Sequence, residues 1–343
     1  MPKLLFEYAS MFRITGLAGL SIGPVFGALS LVSTDITVDI KTAGLLLLIG
    51  IFATIYGFIV NDIVDIEVDK LSKEPEKRPL VKGTISKATA IFMCAFFGIG
   101  GFVITFIFFY RNSPAFFMGV LCLALAYILI FIYNVWGKKI IALDFFVALA
   151  EAFGVLFGAL MISSTGSVNI FTWVIFILVF NQYLFGNAIV NGIKDADHDY
   201  LKDTRNIALA SGVKVSKDRK IFIPWSFKTF GIGIRFFSGF IVFIPFLFFN
   251  EPYELWYMAF LILIVAVLMI MSIKLLNIKT FDSTDQKTVR FFGMQGVIRY
   301  ALVPIILMPI IGIPYGFILI IFPILWYIIF TPFTGKKLFK HIM

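Results

Sequence analysis

Long apolar runs constrain this chain more than any other feature. From about Ile14 onward they recur at lengths of roughly 17–25 residues, enough to span the hydrocarbon core of a bilayer. The run from Leu45 to Val60, LLLLIGIFATIYGFIV, carries no charge at all. In lipid every backbone polar group must be satisfied inside the protein, so only helices or a closed barrel can cross. A barrel would need short alternating strands, and these runs do not alternate. The expected fold is therefore all-α, a polytopic transmembrane bundle of nine to ten helices. Composition agrees: 60% of the 343 residues are hydrophobic, against about 45–50% in a soluble domain.

The runs place spans near 14–32, 42–60, 88–110, 114–136, 142–162, 170–190, 230–249, 255–273, 291–311 and 315–333. The last two share one tract, interrupted only at Gly312-Ile313-Pro314. A tight turn there makes ten spans, and a kink makes nine. The first run is long enough to remain as a helix and does not read as a cleaved leader. The whole chain, 1–343, reads as one integral membrane domain.

The net charge of +9 does not point to nucleic acid, because the basic residues sit in short connections between spans. One set of connections holds Lys3, Arg13, the stretch from Lys70 to Lys87, Lys138, Lys139, the stretch from Lys194 to Lys220, and Lys274 to Arg290. The alternate set, around 33–39, 111–113, 163–169 and 250–254, holds almost none. The positive-inside rule puts the first set in the cytoplasm. Cys94 and Cys122 lie in apolar runs without metal-ligand spacing and read as packing residues. Two histidines, His198 and His341, do not make a histidine-rich metal site.

Against this background two acidic stretches stand out. NDIVDIEVD, Asn61 to Asp69, closes the second span, and NGIKDADHD, Asn191 to Asp199, closes the sixth. Both read Asn-x3-Asp-x-[Glu/Asp]-x-Asp, and both fall on the basic, cytoplasmic side. The chain thus reads as two pseudo-repeated halves, each with one motif. Residues four apart share a helical face. Continued as helices, the spans align Asn61, Asp65 and Asp69 in one stripe with Asp62 beside it, and Asn187, Asn191, Asp195 and Asp199 in another. Clustered carboxylates repel unless a cation lies among them, and Mg²⁺ suits oxygen ligands together with substrate phosphates. Facing each other, two such clusters could hold Mg²⁺ around a diphosphate and make C–O ionisation feasible. The plainer alternative is a set of solvated acids capping helix ends.

Basic residues follow each cluster: Lys73 and Arg78 after the first, Lys202 and Arg205 after the second. They are candidates to clamp diphosphate oxygens, or ordinary positive-inside charges. Arg78 precedes Pro79, which restricts its backbone. Tyr133 and Lys138, in YNVWGK, close the fourth span on the same side. They read either as site residues or as an aromatic belt with a snorkelling lysine.

NDIVDIEVDK, RPLVKGTIS, YNVWGK and DADHDYLKDTR, in this order and spacing, resemble the UbiA superfamily of intramembrane prenyltransferases over roughly residues 10–210. The resemblance implies a helical bundle with a central cavity and cytoplasmic cap loops. It implies an isoprenyl diphosphate held through Mg²⁺ by two Asp-rich motifs, and transfer of its prenyl group to a lipophilic acceptor among membrane lipids. The family's first motif falls on Asn61, Asp62, Asp65 and Asp69, its second on Asp195 and Asp199, and its Tyr/Lys motif on Tyr133 and Lys138. Asp65, Asp195, Tyr133 and Lys138 are then the expected catalytic residues, and Arg78, Lys73, Asn191, Lys202, Arg205 and Arg299 the expected substrate contacts. Departures are Asp203 and Asn206, where the family often has Gly and Thr, and a long loop from Ser211 to Phe230. Similarity to archaeal members favours geranylgeranylglyceryl phosphate as acceptor. A quinone precursor of hydroxybenzoate or dihydroxynaphthoate type is the alternative. A cation-coupled transporter fits less well, because its acids would lie near the midplane on broken helices.

Three charges fall inside spans: Glu151, Arg235 and Arg299. An unpaired charge at a helix centre costs about 2.5–3.5 kcal/mol on insertion scales. The spans allow two arrangements, a structural Glu151–Arg pair or an arginine that lines the pocket and meets an anionic acceptor.

Overall fold

The computed structural model describes residues 3–32, 36–70, 78–196, 205–216, 220–248, 254–280 and 286–334, without the side chains of 3, 68–69, 248, 286–290 and 292–293. Helices α1 (Lys3–Met11), α2 (Leu17–Ser21) and α3 (Gly23–Leu29) open the chain. The long helices α4 (Ile40–Val64), α7 (Lys87–Phe109), α8 (Pro114–Trp136), α9 (Asp144–Ile162) and α10 (Ile170–Leu184) follow, with short α5 (Ile66–Lys70) and α6 (Pro79–Lys82) after α4. Beyond α10 come a π-helical segment, α11 (Gly192–Lys194) and α12 (Ile207–Ala210). The last part comprises α13 (Trp225–Ile241), α14 (Ile244–Phe248), α15 (Leu255–Leu275), α16 (Gln286–Ile311) and α17 (Ile313–Phe330).

Among the described residues nine helices are long and apolar enough to cross a membrane, and the pair Leu4–Met11 and Ile14–Leu29, bent by 48°, makes a tenth if taken as one span. The protein is an integral membrane protein. At Gly312 the chain turns between α16 and α17 with φ of 91°. Glycine adopts this conformation without steric cost, so the tract from 291 to 333 is two helices that pack on each other. The long loop after Ser211 holds a small antiparallel hairpin, β1 (Lys214–Val215) with β2 (Ile221–Phe222), paired Lys214↔Phe222 and Val215↔Ile221.

Helix starts follow local chemistry. Asp39, Ser86, Ser113, Asn169 and Asn206 each accept a hydrogen bond from the backbone amide three residues on, satisfying a donor the helix leaves orphaned. Thr42 also bonds Asp39 through its hydroxyl, which holds that exposed carboxyl below its ordinary value.

Helix α9 is the centre of the bundle. Over half of its spanning window, 56%, is buried, against 11% for α7 and 6% for α17, which face lipid. It packs on α3, α8 and α10. Its contact with α3 is a seam of small residues, Gly23-x3-Gly27 against Gly154-x3-Gly158. A Cβ on Gly27 would fall 1.8 Å from the Val155 carbonyl oxygen, and one on Gly158 would fall 1.8 Å from the Pro24 carbonyl oxygen. Lipid supplies no hydrophobic drive for helix association, so close backbone packing of this kind carries it. The Trp326 indole donates to the Ile14 carbonyl at 2.7 Å and ties α17 back to the start of the chain. An apolar groove of about 510 Å³, lined by Tyr56, Cys94, Gly98, Phe102 and Tyr127, lies among α4, α7 and α8 and contains neither aspartate cluster.

The α3–α9 seam yields a direct expectation. Gly158→Ala must separate the helices and should lower stability by about 1–3 kcal/mol, the usual cost of overpacking. Gly44→Ala, whose Cβ meets nothing within 4 Å, should melt like the wild type. Equal melting temperatures for the two variants in detergent would show that the seam is loose.

Candidate active site

The first acidic cluster is held where α4 ends. Asp65 has φ −85° and ψ 0°, and its amide donates to the Asn61 carbonyl at 2.9 Å. The chain restarts as α5 at Ile66. The expected continuous stripe is therefore broken at Asp65, which turns the carboxylate away from the helix axis path. Asn61 Nδ2 donates to Asp65 Oδ2 at 3.2 Å. Asp62 and Asp65 are only 7% and 4% exposed. Burial on this scale requires positive partners, and the fold brings three. Arg13 Nη2 and Arg78 Nη1 each lie 3.1 Å from Asp62 Oδ1, and Lys138 Nζ lies 2.6 Å from Asp65 Oδ2. Arg13 also donates to Asn61 Oδ1 at 3.1 Å and lies over the Phe58 ring.

The second cluster repeats the local geometry. Asp195 has φ −100° and ψ 4°, and its amide donates to the Asn191 carbonyl at 2.8 Å. Such bridge-region conformations are sparsely populated and recur in active-site residues. Upstream, Phe185–Asn191 is π-helical rather than α-helical. Asn187 donates to the Tyr183 carbonyl at 3.0 Å, and Asn191 Nδ2 donates to Asn187 Oδ1 at 3.3 Å, so the asparagine ladder expected from the spacing is present. π-turns frequently mark functional sites.

Lys138 joins the two halves. Its ammonium meets Asp65, while its carbonyl accepts from the Arg205 amide at 3.0 Å. The Arg205 side chain is exposed. Tyr133 lies one turn before Gly137, whose amide donates to the Tyr133 carbonyl at 2.7 Å; its ring is half-buried. Lys73, Asp199 and Lys202 lie outside the described residues, as does the side chain of Asp69. Arg13 was not distinguished in the sequence from other positive-inside charges, since nothing local marks a residue that pairs 49 positions away.

The donor set fits Mg²⁺. Asn61, Asp62, Asp65 and Asp195 offer only hard oxygen ligands, and Mg²⁺ typically takes one or two carboxylates and completes its shell with phosphate and water. Among the described residues no group of three acidic, histidine or cysteine side chains is gathered that could hold a metal ion.

Deeper in the bundle the expected Glu151–Arg pair does not form: neither Arg235 nor Arg299 makes an ion pair with Glu151 among the described residues. Glu151 instead lies beside Tyr183, whose hydroxyl donates to the Leu20 carbonyl at 3.1 Å. Arg299 lies near Tyr183, and Arg235 is 4% exposed against the Phe185 ring.

A model of the UbiA prenyltransferase family matches residues 21–295. The chain belongs to this family and is a prenyltransferase. It is 27% identical to the digeranylgeranylglyceryl phosphate synthase of Saccharolobus solfataricus over 217 residues, 61% of this chain and 70% of that protein. To the protein of the same name from Methanocaldococcus jannaschii it is 35% identical over 85 residues, 25% of this chain and 28% of that one. Its fold matches a solved structure reported for digeranylgeranylglyceryl phosphate synthase in membranes, with TM-score 0.63 and 18% identity over 91% of this chain and all of that one. It likewise matches a UbiA homologue from Archaeoglobus fulgidus bound to DMAPP and Mg²⁺, with TM-score 0.62 and 17% identity over 88% and 99% of the two chains.

Asp62 compensates two guanidinium groups, so Asp62→Asn should destabilise the apo protein more than Arg78→Met does. Both arginines are partly exposed, which screens them and limits the loss to about 1–2 kcal/mol. Thermal melts of both single variants and the double variant measure the coupling. Additive losses would show that Arg78 and Asp62 do not interact energetically.

Proposed function

We propose that this protein transfers a geranylgeranyl group from its diphosphate to the free hydroxyl of geranylgeranylglyceryl phosphate, with Mg²⁺, at a site facing the cytoplasm. The observation that carries the reading is the pair of matching Asp turns, at Asp65 and Asp195, with Lys138 paired to Asp65 and its carbonyl bonded to the Arg205 amide that follows the second motif. The names of the curated relatives support the acceptor. The structure of the Archaeoglobus homologue with DMAPP and Mg²⁺ supports the donor class and the metal.

In this mechanism Lys138, Arg78 and Arg13 present cationic donors to the diphosphate oxygens at the cluster mouth. Asn61, Asp62, Asp65 and Asp69 on one side and Asp195 and Asp199 on the other would hold Mg²⁺, which when bound neutralises the diphosphate and improves it as a leaving group. Asn191 and Asn187 carry the polar lining inward. The apolar bundle excludes water from the reacting carbon, so that the acceptor hydroxyl competes with nothing else. The bond from C1 to the diphosphate oxygen breaks as the new ether bond forms; the diphosphate leaves with the electron pair, and the hydroxyl proton passes to it or to water. Tyr133 lies one turn from Lys138, within the same wall. The two halves, each a helix ending in an Asn-x3-Asp turn, act as one domain.

Radiolabelled geranylgeranyl diphosphate turnover by the full chain in nanodiscs tests the reading. Asp65→Asn and Asp195→Asn should each lower kcat by about 100-fold or more, on the scale of losing one preorganised electrostatic group, and EDTA should abolish activity. Lys138→Ala should raise the donor KM or lower kcat. Both Asp variants staying near wild-type rate would sink the two-cluster site. Product formation on hydroxybenzoate or dihydroxynaphthoate alone would move the chain to the quinone-precursor reading.

The orientation rests on the lysine and arginine bias among connections. A cysteine placed at Ser211 should react with an impermeant maleimide only in permeabilised cells, and one at Ser167 in intact cells, in a Cys94→Ala, Cys122→Ala background. The opposite labelling pattern inverts the topology.

A further inference from the structure

Inward of Asp195 the lining changes sign. Arg299 Nη1 is buried and has no hydrogen-bond acceptor among the described residues, and the same holds for Arg235 Nη2. Leaving such a donor unmade is costly, and the two guanidinium groups lie close enough to repel each other. Neither arginine has an ion-pair partner among the described residues, and each keeps a buried guanidinium nitrogen without an acceptor.

The surrounding structure builds a seat for Arg299. The Gln182 side-chain amide donates to the Arg299 carbonyl at 2.8 Å and fixes α16 against α10. The guanidinium lies against Gly186, where a Cβ would be 3.0 Å from Nη1 and 3.3 Å from Nη2. It thus fills the place of a side chain in the π-turn. Arg235 is locked behind it: its Nε donates to Ser272 Oγ at 3.0 Å, and its face stacks on Phe185 at 3.6 Å. Arg299 itself is only half-buried, as are Glu151, Tyr183 and Gly186, so it borders open space.

From these contacts we infer that Arg299, backed by Arg235 and flanked by Tyr183, binds the anionic head of the acceptor. The inference rests on the prenyl-transfer reading and deepens it. Gly186 precedes Asp195 by nine residues, about 13 Å along a helix. That interval separates the diphosphate end from the acceptor's anion and leaves the reacting carbon and the acceptor hydroxyl between them. In a glyceryl phosphate the hydroxyl and the phosphate sit on neighbouring carbons, which suits an anion held just beyond the reacting centre. In the low-dielectric interior one guanidinium discriminates strongly between a charged and a neutral head.

The test compares geranylgeranylglyceryl phosphate with geranylgeranylglycerol, which lacks the phosphate, using the full chain in nanodiscs. Wild type should prefer the phosphate-bearing acceptor. Arg299→Met should cut kcat/KM for it by about 30-fold or more, as for removal of one partner of a buried charge pair, leaving the neutral acceptor and the donor KM unchanged. Arg299→Lys should restore part of the loss. Gly186→Ala, which pushes the guanidinium from its seat, should raise the acceptor KM and serves if Arg299→Met does not fold. Equal losses on both acceptors, a changed donor KM, or no wild-type preference would overturn the inference while leaving prenyl transfer standing. Should the wild type instead use an aromatic carboxylate, loss of its preference over the methyl ester in Arg299→Met keeps the anion site and removes the glyceryl acceptor. If no acceptor is prenylated the functional reading fails. Thermal stabilisation by the phosphate lipid in wild type but not in Arg299→Met then decides the site alone, and equal stabilisation overturns it.

Discussion

Two carboxylates, Asp62 and Asp65, are held almost fully buried at the end of a helix that crosses the membrane, and much of the fold answers the cost of keeping them there. An isolated buried carboxylate would take up a proton rather than stay charged. Cations arrive from three separate parts of the chain: Arg13 from the break after α1, Arg78 from the start of α6, Lys138 from beyond the end of α8. Each partner fixes where its own element must end. The ion pairs therefore set the relative heights of α1, α4, α6 and α8 at this face, and they leave positive donors directed at the mouth of the site.

The aspartates' backbone is as informative as their charge. Asp65 and Asp195 both stop a helix in the bridge region, each with its amide bonded to an asparagine carbonyl four residues back. A continuous helix would send successive carboxylates along one rail into solvent. A break at the first aspartate turns the chain so that later acids can point across the bundle. The repeated motif thus encodes a repeated bend, and two helices bent alike from opposite halves can enclose one polyanion between them.

Much of this was legible in residue order. Span lengths, the polar connections and the glycine-proline turn at 312–314 follow from hydropathy and backbone preference, and nine of the ten expected spans correspond to long helices. The asparagine ladder follows from four-residue spacing. What was not legible depends on distance in space. Arg13 looked like any basic residue flanking a span, the π-turn at Phe185–Asn191 has no sequence mark, and the glycine seam between α3 and α9 joins segments 131 residues apart that each contain only an ordinary Gly-x3-Gly. Glu151 and Arg299 could be recognised as costly charges, but pairing between them could not be decided. Tyr183 neighbours both, and no ion pair joins them among the described residues.

The two levels of the interior differ in how their charges are compensated: the carboxylates at the mouth have cationic partners, and the deeper arginines keep guanidinium nitrogens without acceptors among the described residues. In the proposed reaction both substrates have an apolar tail and an anionic head, so hydrophobicity alone would lay them side by side with heads at the same level. Charge can separate them. At the mouth Asp62 and Asp65 are already paired with Arg13, Arg78 and Lys138, and in the proposed reaction these cations together with Mg²⁺ would receive the diphosphate. Cations deeper in the bundle, without ion-pair partners among the described residues, favour a bare anion. An acceptor drawn to that deeper level would bring its hydroxyl beneath the diphosphate rather than beside it, in line with the bond that must break. On the proposed reading, an acceptor anion at Arg299 and a diphosphate at Asp195 would give the two substrates the alignment that a two-substrate reaction requires.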